Sequence, residues 1–253
     1  MIKPLIEICN VNFSFNGQTV LRQVNLTVQP GNFLVIIGPN GGGKTTLLKL
    51  MLGLLEPDSG DVRVFGRPAG KEVRRIGYVP QNVHVNKTFP VSVLDVVLMG
   101  RLRTAGGWSH HTRLDRIAAQ NALEQMQVWE YRDRRIGELS GGQLQRVFIA
   151  RALVSGPELL FLDEAMASID AHSRGDFYEV LKQLNKTITI VAVSHDLMIV
   201  SSHAKSVACI NQDLYYHDTG EITKDMLDFA YHCPVDLVAH GLPHRVLSRH
   251  EDD

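Results

Sequence analysis

One stretch constrains this chain more than any other: Phe33-Leu34-Val35-Ile36-Ile37 runs directly into Gly38-Pro39-Asn40-Gly41-Gly42-Gly43-Lys44-Thr45-Thr46. An unbroken apolar run of this length reads as a strand buried on both faces. The residues after it fit G-x-x-x-x-G-K-[ST], and Thr45 to Met51 then reads as a helix. Strand, glycine-rich loop and helix make a phosphate cradle. Glycines let backbone N–H groups curl round phosphate oxygens, Lys44 reaches the β- and γ-phosphates, and the Thr45 hydroxyl is placed to ligate Mg²⁺. The motif implies a nucleotide without saying what the nucleotide is used for.

A second motif supplies the acids such a site needs. Leu159-Leu160-Phe161-Leu162-Asp163-Glu164 is an apolar strand ending in two carboxylates. The first, Asp163, is positioned to organise Mg²⁺ at the C-terminal edge of a sheet. Glu164 points differently and can polarise an attacking water as general base.

The rest of the chain predicts an α/β fold. Leu5 to Phe15 and Thr19 to Val28 alternate apolar and polar residues around Asn16-Gly17, a hairpin dipeptide, so the chain opens with antiparallel strands. Glu158 to Leu162 and Thr187 to Val193 are further buried strands, and Phe177, Val180, Leu181 and Leu184 repeat at helical spacing between them. A mostly parallel sheet flanked by helices follows. Residues 91–155 carry helical stretches and no comparable strand run, so about 85–155 reads as a helical subdomain inserted between sheet strands. Residues 1–230 are expected to form one domain and 231–253 a C-terminal tail.

Composition excludes several roles. Among 253 residues, 26 Lys and Arg nearly cancel 27 Asp and Glu, so no global positive field favours nucleic acid or an anionic bilayer. No apolar run approaches a membrane span, and Met1-Ile2-Lys3-Pro4-Leu5-Ile6-Glu7 lacks a signal peptide's apolar core. The cysteines Cys9, Cys209 and Cys233 are odd in number and far apart, which suits a reducing compartment. The chain is therefore expected to be soluble and cytoplasmic.

Leu139-Ser140-Gly141-Gly142-Gln143 opens a helix with Ser140 as its N-cap and Leu144, Val147 and Phe148 as its apolar stripe. A glycine-opened helix N-terminus is a second phosphate-binding element, and two chains that exchange it could each complete the other's site. With this LSGGQ signature the chain resembles the nucleotide-binding subunits of ATP-binding-cassette (ABC) transporters, from about residue 5 to 220. The resemblance implies a P-loop NTPase core with an N-terminal antiparallel β subdomain and an inserted α-helical subdomain. It also implies further site residues. Phe15 lies where the family has an aromatic that stacks on adenine. Gln81, in Tyr78-Val79-Pro80-Gln81-Asn82, matches the Q-loop glutamine that senses Mg²⁺ and the attacking water. Ser168-Ile169-Asp170 resembles the D-loop, and His195 matches the switch histidine that contacts the γ-phosphate. The sequence departs from the family where Ala165, rather than proline, follows Glu164, and where Phe15 lacks tyrosine's hydroxyl.

By that resemblance, the protein hydrolyses Mg-ATP in a head-to-tail homodimer. Lys44, Thr45, Gln81, Asp163, Glu164 and His195 of one copy face Ser140 and Gly142 of the other. Its expected partners are a separate integral membrane permease and, indirectly, an extracytoplasmic substrate-binding protein, which puts it on the cytoplasmic face of the membrane. A soluble ABC ATPase acting on DNA or ribosomes is the alternative of a different class; no coiled-coil insertion or second cassette supports it. Phe89 to Arg101, and Arg135-Ile136-Gly137-Glu138, resemble the branch importing zinc, manganese or iron; the branch importing iron-siderophore, haem or cobalamin is the alternative. Arg101 to Arg116 reads as a solvated basic helical face rather than a permease contact. In the tail, His232, Cys233, His240, His244 and His250 read as surface residues, because Gly241 and Pro243 prevent His240 and His244 from sharing a helix face.

Overall fold

The computed structural model describes residues 3–81, 89–101, 111–165, 169, 171–194 and 204–220, with backbone alone for 171–173. Its first elements, β1 (Ile6–Phe15) and β2 (Gln18–Val28), pair as a hairpin. Asn16 (φ 48°) and Gly17 (φ 81°) both occupy the left-handed region, the backbone of the tight turn whose twist matches its strands. The alternation of β1 breaks once. Ile6 and Ile8 are buried, then Val11 and Phe13, yet all join one core. The ladder shifts register between Ile8 and Val11, where Asn10 takes φ 50° and its N–H donates to Asn25 Oδ1 at 2.9 Å. This bulge reverses the parity of the strand and returns Val11 and Phe13 to the buried face.

The buried strand β3 (Phe33–Ile37) leads through the glycine-rich loop into α1 (Lys44–Met51). Strands β4 (Ser59–Val64) and β5 (Arg67–Pro68) complete an antiparallel sheet of order β2-β1-β4-β5. Then come β6 (Ile76–Val79), α2 (Val93–Leu98), α3 (Arg113–Gln125) and α4 (Gly141–Leu153). The chain continues with β7 (Leu159–Asp163), α5 (Ala171–Leu184), β8 (Thr189–Val193), β9 (Ser206–Asn211) and β10 (Asp213–His217). The second sheet has the order β10-β9-β3-β8-β7-β6; every pair in it is parallel except β10 with β9. Strand β8 begins later than its apolar pattern predicts. The N–H groups of Thr187 and Ile188 both donate to the Leu184 carbonyl, so these residues close α5 instead of opening the strand.

Alternate residues of the parallel strands feed two cores. Val35, Leu160, Leu162 and Ala192 face α2 to α5, whereas Leu34, Ile36, Phe161 and Val191 face α1 and the antiparallel sheet. Leu47, Leu48, Leu50 and Met51 of α1 are buried in that second core. Each such side chain contributes about 1.5–3 kcal/mol when removed from water, which anchors α1 and the loop that precedes it.

Helices α2 to α4 lie between β6 and β7 in the chain and pack on one another. Their starts are capped by Ser92, Thr112 and Ser140 respectively. Arg101, expected on a solvated face, instead donates through Nε to Asp115 Oδ1 at 2.7 Å. Hydrogen bonds from the Thr112 side chain and backbone, then from Arg101, hold the Asp115 carboxyl well below the usual carboxylate range. Residues 102–110 of that basic stretch lie outside the described residues.

Candidate nucleotide-binding site

The parallel strands all end on one edge of the sheet, the place where open α/β sheets bind ligands. There β3 delivers the glycine-rich loop and β7 delivers Asp163. Gly43 stands at the N-cap of α1 with φ 101°, and a Cβ on it would lie 2.7 Å from Leu21 Cδ2. Both the backbone conformation and the close approach of β2 require glycine there.

Lys44 and Thr45 begin α1 just beyond it. Lys44 is buried, and its Nζ donates to the carbonyls of Gly38 at 2.8 Å and Pro39 at 2.9 Å. Thr45 Oγ1 donates to Asp163 Oδ1 at 3.2 Å, joining loop and β7 across the sheet edge. Burial lowers the Lys44 pKa, against the opposing pull of the Glu164 and Asp163 carboxylates. Burial likewise raises the pKa of Asp163; the hydrogen bond from Thr45 opposes that shift and the charge of Glu164 adds to it. The site thus holds a desolvated cation beside a desolvated carboxylate, a combination suited to a ligand carrying both anionic oxygens and a divalent cation.

Glu164 leaves β7 with φ 46°, uncommon for a residue with a side chain, and its N–H donates to the Val193 carbonyl at 3.0 Å. Its Oε2 accepts a hydrogen bond from Gln81 Nε2. A cleft of about 200 Å³ is lined by Asn40, Gly41, Gly43, Lys44, Thr45 and Thr46 on one side, with Gln81 and Glu164 on the other. The phosphate loop, the Q-loop glutamine and the strand-end acid expected from sequence therefore converge on one cavity.

Other expected residues lie apart from it. Phe15 is not part of the cleft lining; the residue is 49% exposed and its ring stands edge-on to Phe13, with centroids 4.7 Å apart. Ser140, Gly141, Gly142 and Gln143 start α4 and do not line the cleft either. Ser140 Oγ accepts from the Gln143 N–H at 3.3 Å while Gln143 Oε1 accepts from the Ser140 N–H at 3.0 Å, a reciprocal capping box. Asp170 and His195 lie outside the described residues, as does the histidine-bearing tail. Among the described residues, no group of three or more His, Cys, Asp and Glu side chains could hold a metal ion.

Some groups around the site escaped the motif reading. Tyr78 on β6 lies near Asp163: burial and then the Asp163 charge raise its hydroxyl pKa. The charge of Lys49 opposes the upward shift of Asp163. Lys49 stands four residues beyond Thr45 on α1, a helical spacing that could have flagged it. The carbonyl of Ile210 and the N–H of Gln212 also abut the phosphate loop. These are backbone groups, a carbonyl that every residue carries and an N–H that only proline lacks, so no residue pattern could have signalled them.

Residues 21–167 match the family model described as ABC transporter. The zinc uptake system ATP-binding protein of Listeria monocytogenes is 40% identical over 220 residues, 85% of this chain and 86% of that protein. The manganese transport system ATP-binding protein of the same species is 38% identical over 229 residues, 89% of this chain and 95% of that one. Among solved structures, an inward-facing metal-chelate type ABC transporter superposes with a TM-score of 0.82 at 30% identity, covering 92% of this chain and 90% of that one. With the glycine-rich loop, the strand-end acids and the parallel sheet all present in one molecule, this chain belongs to the ABC transporter family and is an ATP-binding subunit with ATPase activity.

Proposed function

We propose that this ATPase energises import of zinc or manganese through a separate membrane permease. The observation that carries this reading is the 38–40% identity, over most of both chains, with subunits named for uptake of those metals. None of the described helices is long and apolar enough to cross a membrane, which is consistent with a permease supplied by another chain. Likeness to a metal-chelate type transporter at 30% identity favours the chelate-import branch as the second reading. The discriminating experiment measures cellular zinc, manganese and iron under mild chelation, with Glu164→Gln as the only copy. A selective fall in zinc or manganese is expected; unchanged metals with impaired uptake of an iron chelate would replace the first reading by the second.

In this mechanism Lys44 and the loop N–H groups of Gly38 to Thr46 hold the β- and γ-phosphates. Oxygen donors at Thr45 and Asp163, with the Gln81 carboxamide, would hold Mg²⁺. When bound, that ion neutralises charge on the phosphates. Glu164 orients the attacking water and takes its proton; Gln81, hydrogen-bonded to Glu164, carries the state of the site toward the helical segment. His195 contacts the γ-phosphate and Phe15 stacks on adenine.

The remaining contacts come from a second copy, through Ser140, Gly141, Gly142, Gln143 and Asp170. Among the described residues a Cβ on Gly142 would meet nothing within 4 Å, so their packing gives no reason for glycine. A bare helix start is what approach of a partner's phosphate group requires. The permease docks, in this reading, in a groove of about 330 Å³ between β6 and α4, lined by residues including Tyr78, Pro80, Gly100, Phe148 and Arg151. This groove adjoins β6, which ends two residues before Gln81, so movement of that segment on hydrolysis reaches the permease directly.

A further inference from the structure

The phosphate loop is supported from beneath by a turn that no motif marks. β9 pairs with β3 up to Cys209 opposite Ile37, and the chain then turns through Gln212 into β10. A Cβ on Gly38 would collide with the Ile210 carbonyl oxygen, and one on Gly42 would lie 2.9 Å from the same atom. The Gln212 N–H donates to the Gly42 carbonyl at 3.2 Å, while the Gln212 carbonyl accepts from the Arg22 N–H at 2.8 Å. One peptide segment therefore links β2 to the loop.

Gln212 holds this geometry at φ 64°, a conformation that a residue with a side chain adopts only when its surroundings enforce it. Directly beside it, Arg22 grips Asp213 with two hydrogen bonds: Nε to Oδ1 at 3.0 Å and Nη2 to Oδ2 at 2.8 Å. The paired donors fix the orientation of both side chains, not merely their distance. Both side chains are substantially exposed, 58% and 44%, so the pair adds little to overall stability. Its location matters more than its strength: it fastens to β2 the residue that directly follows Gln212, whose N–H reaches Gly42.

We propose that Arg22 and Asp213 are positioning residues for ATP binding, forming a latch that holds the Ile210–Gln212 segment against the phosphate loop. Neither touches ATP. The latch keeps the Gly42 peptide oriented so that the loop N–H groups converge on phosphate before ATP arrives. Loosening it lets the loop sample other orientations and so weakens ATP binding, with little effect on the chemical step once ATP is held. This inference rests on the assignment of Gly38–Thr46 as the nucleotide site.

The test compares full-length Arg22→Gln, Asp213→Asn and the reversed pair Arg22→Asp with Asp213→Arg. ATPase kinetics, ATP binding by calorimetry and thermal unfolding are measured for each. Each single variant is expected to raise KM and the dissociation constant for ATP by about threefold, the scale of one exposed pair, with kcat within about twofold and the unfolding midpoint nearly unchanged. The reversed pair is expected to recover most of that loss, which shows that the two residues act through each other; a rise in KM with kcat and the unfolding midpoint nearly unchanged is what a merely structural role would not produce. Arg75→Gln serves as the control: it breaks a similar exposed bidentate pair, Arg75 with Glu158, at the other end of the parallel strands, and should leave KM unchanged. Unchanged KM in the single variants, or an equal rise in the control, would overturn the latch. Lys44→Ala separates the two ideas. If it leaves ATP binding intact, the site assignment itself fails; if it abolishes binding while the latch variants are silent, only the latch fails.

Discussion

The Gln81 carboxamide donates to the carboxylate of Glu164, two residues 83 apart in the chain that stand side by side at the ends of adjacent strands. Parallel pairing of β6 with β7 sets Val79 opposite Leu162, so two residues further on Gln81 meets Glu164. The donor steadies the carboxylate and ties the residues just beyond β6 to those just beyond β7.

Glu164→Gln tests the proposed base. Gln keeps the size and a hydrogen-bonding oxygen for Gln81 but cannot accept the water's proton. Hydrolysis is expected to fall about 10²- to 10⁴-fold with ATP binding retained. Gel filtration with ATP should reveal a trapped dimer; near-normal turnover would remove Glu164 from the role.

Asp163→Asn tests the electrostatic strain of the ligand-free site. Burial raises the Asp163 pKa, so the charged form is disfavoured in the folded protein. For a carboxyl shifted upward, the relative stability is fully present below its unfolded pKa and is lost as pH rises through the folded value. The asparagine variant should therefore unfold at a higher temperature than the parent near neutral pH without nucleotide. The gap should close as pH falls through the ordinary carboxylate range, around pH 4. A gap that widens in acid would contradict the assignment, and ATPase activity should be lost in the variant.

Gly43→Ala probes the loop entry. The left-handed backbone and the 2.7 Å approach of Leu21 Cδ2 leave no room for a methyl group. A destabilisation of about 1–3 kcal/mol is expected from the backbone conformation alone. ATP binding should weaken at least tenfold in calorimetry, because the following residue is Lys44. Retained affinity would mean that the loop tolerates a shifted Gly43.

Ser140→Ala removes the N-cap of α4 and half of its capping box. A loss of about 1 kcal/mol is expected in chemical denaturation, since the Gln143 N–H loses its acceptor. Ser140→Thr should retain most of it. If Ser140 also binds the partner's ATP, the alanine variant loses ATP-dependent dimerisation beyond what its stability accounts for, and ultracentrifugation separates the two effects.

Much of this architecture was legible in local pattern. The β3 run, the Gly38–Thr45 motif, the Asn16-Gly17 turn and the Ser140 cap each depend on residues adjacent in sequence, where conformational preference and hydrogen-bond chemistry act directly. The candidates for the reacting groups belong to the same category, because Lys44 and Thr45 open α1 and Asp163 and Glu164 stand at the end of β7, each marked by the local pattern around it.

Other features required the tertiary structure. The bulge at Asn10 depends on the Asn25 side chain across the hairpin, and the withdrawal of Arg101 from solvent depends on Asp115 at the start of another helix. The support under Gly42 is made by a peptide from the far end of the chain. Sequence alone determined which chemistry the sheet edge could carry, since side-chain identity and local spacing encode it. Only the tertiary structure decided how Gln81 reaches Glu164 and how Arg22 and Asp213 brace the loop, because strand register and backbone contacts between distant segments are set by the packing of the whole core.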